Sequence, residues 1–371
     1  MMFIFANMFP EDTSRGITKK VFAQIQALDH IGHEVRYYTG YTEEGAAVFD
    51  RKGNIVYFRE FPAKSKIINR VLRNKTLKNM AFEFLKGTDE RFTEMYFRYV
   101  FFDYSTMKLY KEAKNHTKTV ILEMHSYPNY NKGQYVLYPV FVIDRIYRKA
   151  NLKYIDKIVT ISSFDNIFGK ETIRIDNGVD LDHIRRQTKT VHEGIRIISV
   201  SYEWLAHGYD RLVRGLYNYY TNSHECINVE LWFVGTIMDS TKKLIKELNM
   251  EGKIKYLGIK KGNELDEIYD QVDIGAGCLG MHRCNTKDSS GLKTKEYIAK
   301  GIPFFYAGEP LFDKNSFPYA MQVESTDAPI DIKAVLDFYY KLKSDDTIPE
   351  KMRKWAEKYT WDEEMKKIFK R

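Results

Sequence analysis

Cysteine is scarce in this chain of 371 residues: Cys226, Cys278 and Cys284 are the only ones. Three thiols at those positions exclude a disulfide framework and offer no zinc-ligand spacing, and a reducing cytoplasm is the expected setting. Long apolar runs are also missing. The longest, Tyr135 to Ile143, is interrupted by Pro139 and falls far short of the roughly 20 residues a spanning helix needs. No basic leader opens the chain. Met1-Met2-Phe3-Ile4-Phe5 runs directly into Asn7 and Pro10, which reads as a first buried strand rather than a secretory signal. There is no internal repeat and no low-complexity segment, and none of the usual nucleic-acid-binding signatures is found. The histidines form no metal or triad pattern with an acid or thiol, and no Asp-x-Asp element stands at a strand end.

What is present is a globular mixture, 44% hydrophobic and 29% charged, long enough for two cores at roughly 150 residues per domain. The net charge of +8 favours anionic partners such as phosphorylated substrates or anionic lipid. The rhythm is strand, loop, helix, which predicts parallel sheets covered by helices. In the first half, strands are expected at Met2–Asn7, Glu34–Tyr38, Ile55–Phe58, Thr119–Met124 and Lys157–Ile161, and a helix over Ile17–Ile31. A second series begins with a strand at Arg196–Val200. It continues through strands at Val229–Val234, Lys253–Leu257, Val272–Cys278 and Ile302–Tyr306, with helices at Tyr209–Tyr220, Thr241–Leu248, Glu264–Tyr269 and Leu292–Lys300. The polar stretch Arg185 to Thr190 predicts the boundary: residues 1–185 form one Rossmann-like domain and 186–354 another, with a basic helical tail anchored by Trp355 and Trp361. Six basic residues (Lys64, Lys66, Arg70, Arg73, Lys75 and Lys78) interleave with Ile67, Ile68, Val71, Leu72, Leu77 and Met80. That stretch, 64–80, predicts a basic amphipathic helix able to lie on an anionic membrane.

The most informative segment runs from Asp288 to Pro303. Asp288 and Glu296 stand eight positions apart, with Gly291 between them at an expected helix start and Gly301-Ile302-Pro303 closing the helix. Ser289 or Ser290 can cap that helix, and its exposed amides suit a diphosphate. Two acids flanking a phosphate cradle suit a nucleotide sugar, which has a sugar at one end and a ribose at the other.

This segment resembles the large retaining glycosyltransferase family with the GT-B fold, family 4 or "glycosyl transferases group 1". That family carries Glu-x7-Glu before a helix ending in Ala-x-Gly-x-Pro; here Asp288 takes the first acidic position and Ala299-Lys300-Gly301-Ile302-Pro303 the tail. Further matches fall in the same order along the chain: Gly32-His33-Glu34-Val35, Ile158 to Ser163, Ile175-Asp176-Asn177-Gly178-Val179-Asp180, Val234-Gly235 and Tyr256-Leu257-Gly258. The resemblance implies an α/β architecture of two Rossmann-like domains facing a cleft, with the C-terminal helix (355–371) packing back on the N-terminal domain. It gives Asp288 the donor sugar, Glu296 the nucleotide ribose, and Ser290, Gly291, Leu292 and Lys293 the diphosphate. Gly235 and Leu257 face the nucleotide, and Gly16, beside Arg15, stands where the family has its first glycine-rich loop. His125 follows a strand at the place where the family often has a histidine near the reacting sugar, so a catalytic role with Asp288 is implied. Glu123 points the other way by strand alternation and reads as structural.

One departure stands out. Where the family has Gly-Arg followed by Lys-Gly, this chain reads Ser201-Tyr202-Glu203-Trp204-Leu205-Ala206-His207-Gly208. Tyr202 and His207 replace two cations, and Arg283, Lys287 and Lys293 are candidates to substitute for them. The expected activity is retaining transfer of a hexosyl group from a UDP- or GDP-sugar to a saccharide or lipid-linked acceptor in capsule, exopolysaccharide or lipopolysaccharide assembly. No metal and no cofactor beyond the donor substrate is implied, and the expected place is the cytoplasm or the inner membrane face. The alternatives are a non-catalytic glycan- or partner-binding protein of the same fold and a sugar-nucleotide epimerase.

Overall fold

The structure, a computed structural model, describes residues 1–4, 16–62, 66–125, 127, 138–222, 226–284, 291–308 and 316–369. The chain divides into two compact units, Met1–Asp176 with Trp361–Arg371, and Asn177–Thr360. The first unit runs β1 (Met2–Ile4), α1 (Gly16–His30), β2 (Tyr37–Tyr41), β3 (Gly45–Asp50), β4 (Ile55–Glu60), α2 (Lys66–Lys86), β5 (Glu94–Arg98), α3 (Tyr104–His116), β6 (Thr119–Met124), α4 (Tyr138–Leu152), β7 (Lys157–Thr160), β8 (Asn166–Ile167) and β9 (Lys170–Arg174). The second runs β10 (Ile195–Tyr202), α5 (Tyr209–Asn222), β11 (Val229–Thr236), α6 (Asp239–Glu247), β12 (Ile254–Tyr256), α7 (Asn263–Tyr269), β13 (Ile274–Ala276), α8 (Leu292–Lys300), β14 (Phe304–Ala307), β15 (Ala320–Val323), α9 (Ile332–Leu342) and α10 (Ile348–Ala356). Helix α11 (Trp361–Ile368) belongs to the first unit.

The first unit orders its strands β4-β3-β2-β1-β5-β6-β7-β9-β8. Pairing is parallel from β2 through β1, β5, β6 and β7 to β9, while β3, β4 and β8 add antiparallel edges. Strand alternation sends Val120, Leu122 and Met124 of β6 into one core with α2, α3 and α4, and Ile121 into the other with α1 and α11. The second unit is wholly parallel, β12-β11-β10-β13-β14-β15. Its β10 puts Ile195 and Ile197 against α5 and α9 on one face, and Ile198 against α7, α8 and α10 on the other. These are two Rossmann-like doubly wound sheets.

Three expectations shift. The first boundary falls at Asp176, not in the polar stretch. Thr188 and Arg185 are bonded to Asp270, and Gln187 to the carbonyls of Tyr269 and Val272, so that stretch is fastened to the second unit. The tail is two helices, broken at Thr360. Trp355 of α10 packs on Phe317 and Tyr359 in the second unit, whereas Trp361 of α11 is buried in the first, with the Lys20 ammonium over its ring. The basic stretch also differs from a surface stripe. Leu77 and Met80 pack into the core, and buried Lys78 donates to the Phe101 carbonyl and the Asp103 carboxylate. From Leu77 onward the α2 apolar face is spent on folding, which is the usual fate of a helical stripe. The side chains of residues 66–71 lie outside the described residues. No helix among the described residues is long and apolar enough to cross a membrane.

Candidate functional site

In the second unit the strand order reverses between β10 and β13: the chain leaves β10 toward β11 and leaves β13 toward β14. Open parallel sheets bind ligands at such a point, outside the carboxyl ends of the strands. Helix α8 begins there because β13 lets it approach. A Cβ at Gly275 would lie 2.6 Å from the Tyr297 ring, and one at Gly277 would lie 3.2 Å from Thr294 Cγ2. The N-cap is Gly291, extended at φ −79° and ψ 148°, with no side-chain cap. The serines suggested as caps from the sequence lie outside the described residues, and the first amides of α8 are those a helix leaves without an intrahelical partner. Thr294 donates its hydroxyl to the Gly291 carbonyl, 2.8 Å away. Asp288, Ser289, Ser290 and Lys287 lie outside the described residues.

Lys293 is the unusual residue of this helix. Its side chain is buried, 8% exposed, and its ammonium donates to Ser199 Oγ at 3.2 Å on β10. Ser199 in turn donates to the Ala276 carbonyl. The ammonium lies 5.9 Å from the Tyr209 ring centroid, and Tyr209 shares a 2.5 Å hydrogen bond with Ser201 and stacks on Phe233. No carboxylate among the described residues pairs with it. Burial accordingly lowers the Lys293 pKa, since a desolvated charge without a counter-ion is costly.

The segment from Tyr202 to Gly208 lies at the carboxyl end of β10. Tyr202 ends β10 opposite Thr236, with its side chain exposed. Residues Leu205–His207 form a 3-10 turn that closes on Gly208 at φ +63°. Two glycines let this turn meet the following loop. A Cβ at Gly280 would stand 2.5 Å from the Leu205 carbonyl, and the Gly280 amide donates to Ala206. His207 Nδ1 accepts the Trp204 amide at 2.9 Å, so the ring carries its proton on Nε2. Burial first, then the Lys293 charge, pushes its pKa down to about 3. His207 is therefore a neutral hydrogen-bond donor, not a replacement cation. Arg283 is a poor substitute as well. Its guanidinium is bidentate to Asp210 at 2.7 and 2.8 Å and gives Nε to Asp327 at 2.6 Å, so its charge is already neutralised. Of the three candidate cations, Lys293 is the described one without an acidic partner.

Glu296 follows on α8, and its charge, after burial, raises the pKa of buried Tyr269 on α7. Gly235 closes β11 at φ +114°, where a Cβ would fall 2.0 Å from the Ser201 carbonyl. Its amide donates to the Gly258 carbonyl, and its carbonyl accepts from Tyr256. Leu257 lies beyond β12, its amide on the Phe233 carbonyl. Lys293, His207, Tyr202, Gly235 and Leu257 thus share the carboxyl-terminal edge of one sheet. Sequence reasoning missed Ser199, Ser201 and Tyr209, which carry no motif; only their alternation on β10 and the start of α5 could have marked them. A cavity of about 380 Å³ beside Asp273 and Tyr339 opens at the other end of β13 and contains none of these residues.

In the first unit, Gly16 begins α1, and Arg15 lies outside the described residues. Glu123 is 1% exposed and accepts from Lys20 at 3.0 Å, Gln24 at 2.9 Å and Tyr96 at 2.8 Å. Burial opposes its ionisation, but the Lys20 and Arg98 charges and the hydrogen bonds overcome this and hold it below the ordinary carboxylate range. It is a structural anchor of α1 on the sheet. His125, one residue past β6, has a buried Nδ1 with no hydrogen-bond partner among the described residues. Burial, then the Arg98 cation, pushes its pKa down to about 3. It is a neutral imidazole.

No protein-family model and no curated protein matches the sequence. Solved structures do match in fold. A glycosyltransferase from Rickettsia africae is 15% identical at a TM-score of 0.63, over 99% of this chain and 96% of that one. The lipopolysaccharide outer core galactosyltransferase WaaB is 12% identical at 0.57, over 100% and 99%. The HepE protein of Anabaena, solved in complex with UDP, is 11% identical at 0.58, over 98% of each chain. The fold is that of the GT-B glycosyltransferases.

Proposed function

We propose that this protein is a retaining glycosyltransferase that moves a hexosyl group from a UDP- or GDP-sugar to a saccharide or lipid-linked saccharide in cell-surface polysaccharide synthesis. The observation that carries the reading is the buried Lys293 ammonium, lacking an acidic partner among the described residues, beside the start of α8 at the sheet's switch point. A site with a buried cation beside a helix N-terminus takes an anion, and a diphosphate fits both. The solved neighbours support the same ligand class, since HepE of Anabaena and TarM of S. aureus were both crystallised with UDP.

In this reading the amides of Gly291, Leu292 and Lys293, together with Ser290 and the Lys293 ammonium, hold the diphosphate and stabilise it as it leaves. His207 adds its Nε2 proton, and Tyr202 borders the site. Glu296 accepts from the ribose hydroxyls and Asp288 from the donor sugar, while Gly235 and Leu257 flank the nucleotide through their backbones. Gly16 provides close approach at the start of α1. His125, neutral at physiological pH, orients a donor hydroxyl. Departure and attack occur on one face of the sugar without a protein nucleophile, and the reading needs no metal. It places the enzyme in the cytoplasm, at the inner membrane face where the acceptor is lipid-linked.

The test is a thermal-shift screen of UDP, GDP and their sugars on wild type and Glu296→Ala. Stabilisation by one nucleotide family that is lost in the variant supports the site, and an unchanged shift in the variant sinks it. No shift from any nucleotide would favour a non-catalytic binding protein. The anomeric configuration of the product, read by NMR, decides retention.

A further inference from the structure

Helix α4 departs from the rule that a surface helix turns its polar side to water. Asp144 and Asn151 are its buried positions, and Asp144 accepts from Tyr99, the Phe102 amide and Arg148. The opposite side carries Val142, Ile143 and Ile146, exposed at 41%, 44% and 68%. Their i, i+1, i+4 spacing makes one aliphatic ridge, and Arg145 and Lys149, also exposed, flank it one turn apart. Helix α4 thus turns Asp144 inward and leaves Val142, Ile143 and Ile146 outside, while Tyr147 and Leu152 pack on the core.

The surrounding layer is strongly one-signed. Helices α2, α3 and α4 pack on the same core face. Their sequences hold six Lys/Arg against one Glu, three against one Glu, and three against one Asp, respectively. The three acids are engaged, Glu83 by Arg59, Glu112 by His116 and Asp144 by Arg148, and of the twelve cations Lys78 is paired with Asp103 and Lys114 with Asp156, which leaves the excess positive. A convex aliphatic ridge in a cationic field is the arrangement of an interfacial helix, which sinks its apolar side chains below anionic headgroups while its cations stay at their level.

We infer that α4, through Val142, Ile143 and Ile146 with Arg145 and Lys149, docks this protein on an anionic lipid surface. This assigns the docking to α4; in the 64–80 stretch Leu77 and Met80 are consumed in the core, while Leu72 is half-buried. This deepens the lipid-linked-acceptor reading, but it stands on surface chemistry alone and does not require transfer activity.

The experiment is co-sedimentation of the full chain with vesicles of phosphatidylcholine alone or with phosphatidylglycerol added. Wild type should bind the anionic vesicles at least about tenfold better and release them as salt is raised. Ile143→Asn with Ile146→Asn, and separately Arg145→Gln with Lys149→Gln, should each lower that binding by about tenfold or more. The UDP thermal shift of each variant checks that the second unit is folded and keeps failure of docking distinct from failure of the nucleotide reading. Equal binding to both vesicle types, or variants that bind like wild type, overturns the inference. So does a concentration-dependent dimer, abolished by the two asparagines and formed without vesicle binding, which would assign the ridge to a second copy of the chain.

Discussion

Replacing Lys293 by methionine separates the cost of this side chain in the free protein from its value to a bound anion. Methionine keeps the length and apolar stem, and Ser199 retains the Ala276 carbonyl as its acceptor. Without ligand, the variant no longer buries an ammonium that lacks a carboxylate among the described residues, so it should be more stable. Each kcal/mol gained in a domain of this size appears as a rise of about 2–4 °C in Tm. The gain depends on pH with a defined sign. Burial lowers the folded-state pKa of Lys293 from 10.5, so the wild-type penalty is fully present below the lowered value. It is relieved as pH rises through that value toward 10.5. The difference between variant and wild type should therefore shrink in alkaline buffer. Toward a nucleotide diphosphate the effect reverses. A charge-assisted contact contributes about 1.5–3 kcal/mol, so UDP affinity should fall by about 10- to 150-fold. At a ligand concentration of about 100 times the wild-type Kd, the stabilisation of about 2.7 kcal/mol should drop to between about 1.4 and about 0.3 kcal/mol. Differential scanning fluorimetry with and without UDP, at neutral and alkaline pH, reads all of this, and calorimetric titration supplies the Kd. A variant that binds UDP as wild type does refutes the phosphate role, and a less stable free protein refutes the assignment of Lys293 as an uncompensated charge.

Glu123→Leu should destabilise the first unit by about 3–5 kcal/mol, because it strands the buried Lys20 ammonium; urea denaturation measures it, and a loss below about 1 kcal/mol contradicts the anchoring role. Since the Glu123 pKa is depressed, its contribution is present above the unfolded value of 4.5 and is lost as pH falls through the folded value, so wild type and Glu123→Leu should converge in strong acid. His125→Ala should lower kcat by about 10²-fold or more without changing the UDP thermal shift. Because burial holds His125 neutral down to about 3, no inflection of the wild-type rate profile between neutral pH and about pH 5 should vanish in the variant; one that does vanish would contradict the neutral assignment. Gly235→Ala should cost about 1–3 kcal/mol or more, from its positive φ and the Ser201 carbonyl in the path of a Cβ, and should weaken UDP binding if β11 moves. A stable alanine variant with unchanged UDP affinity would show that this close approach is dispensable.

Periodicity made most of the second unit legible. Apolar strands at β10, β11 and β12 and amphipathic helices at α5 and α6 each signal themselves within a window of a dozen residues, because burial on one face is written locally. The antiparallel strand β3 and the short pair β8 and β9 escaped. Their pairing partners supply the burial, and Gly45-Ala46-Ala47 carries little pattern of its own. Helix α4 escaped for the opposite reason. Its apolar residues lie all round, so Tyr135 to Ile143 reads as a run without a face.

By itself, the sequence determined the two-sheet architecture, the Gly291 to Pro303 segment that seats α8, and the absence of cations at Tyr202 and His207. Those are matters of residue type and short spacing. Tertiary structure decided what the charges do. Arg283 and Lys293 are both basic residues near the same helix start, yet one is neutralised by Asp210 and Asp327, more than forty positions away, and the other meets only hydroxyls and rings among the described residues. The same holds for Lys78 against Arg145, one drawn inward by Asp103 and the other left on an exposed ridge. A charge's role is set by what folding brings beside it, and that partner lies at a sequence distance no local pattern records.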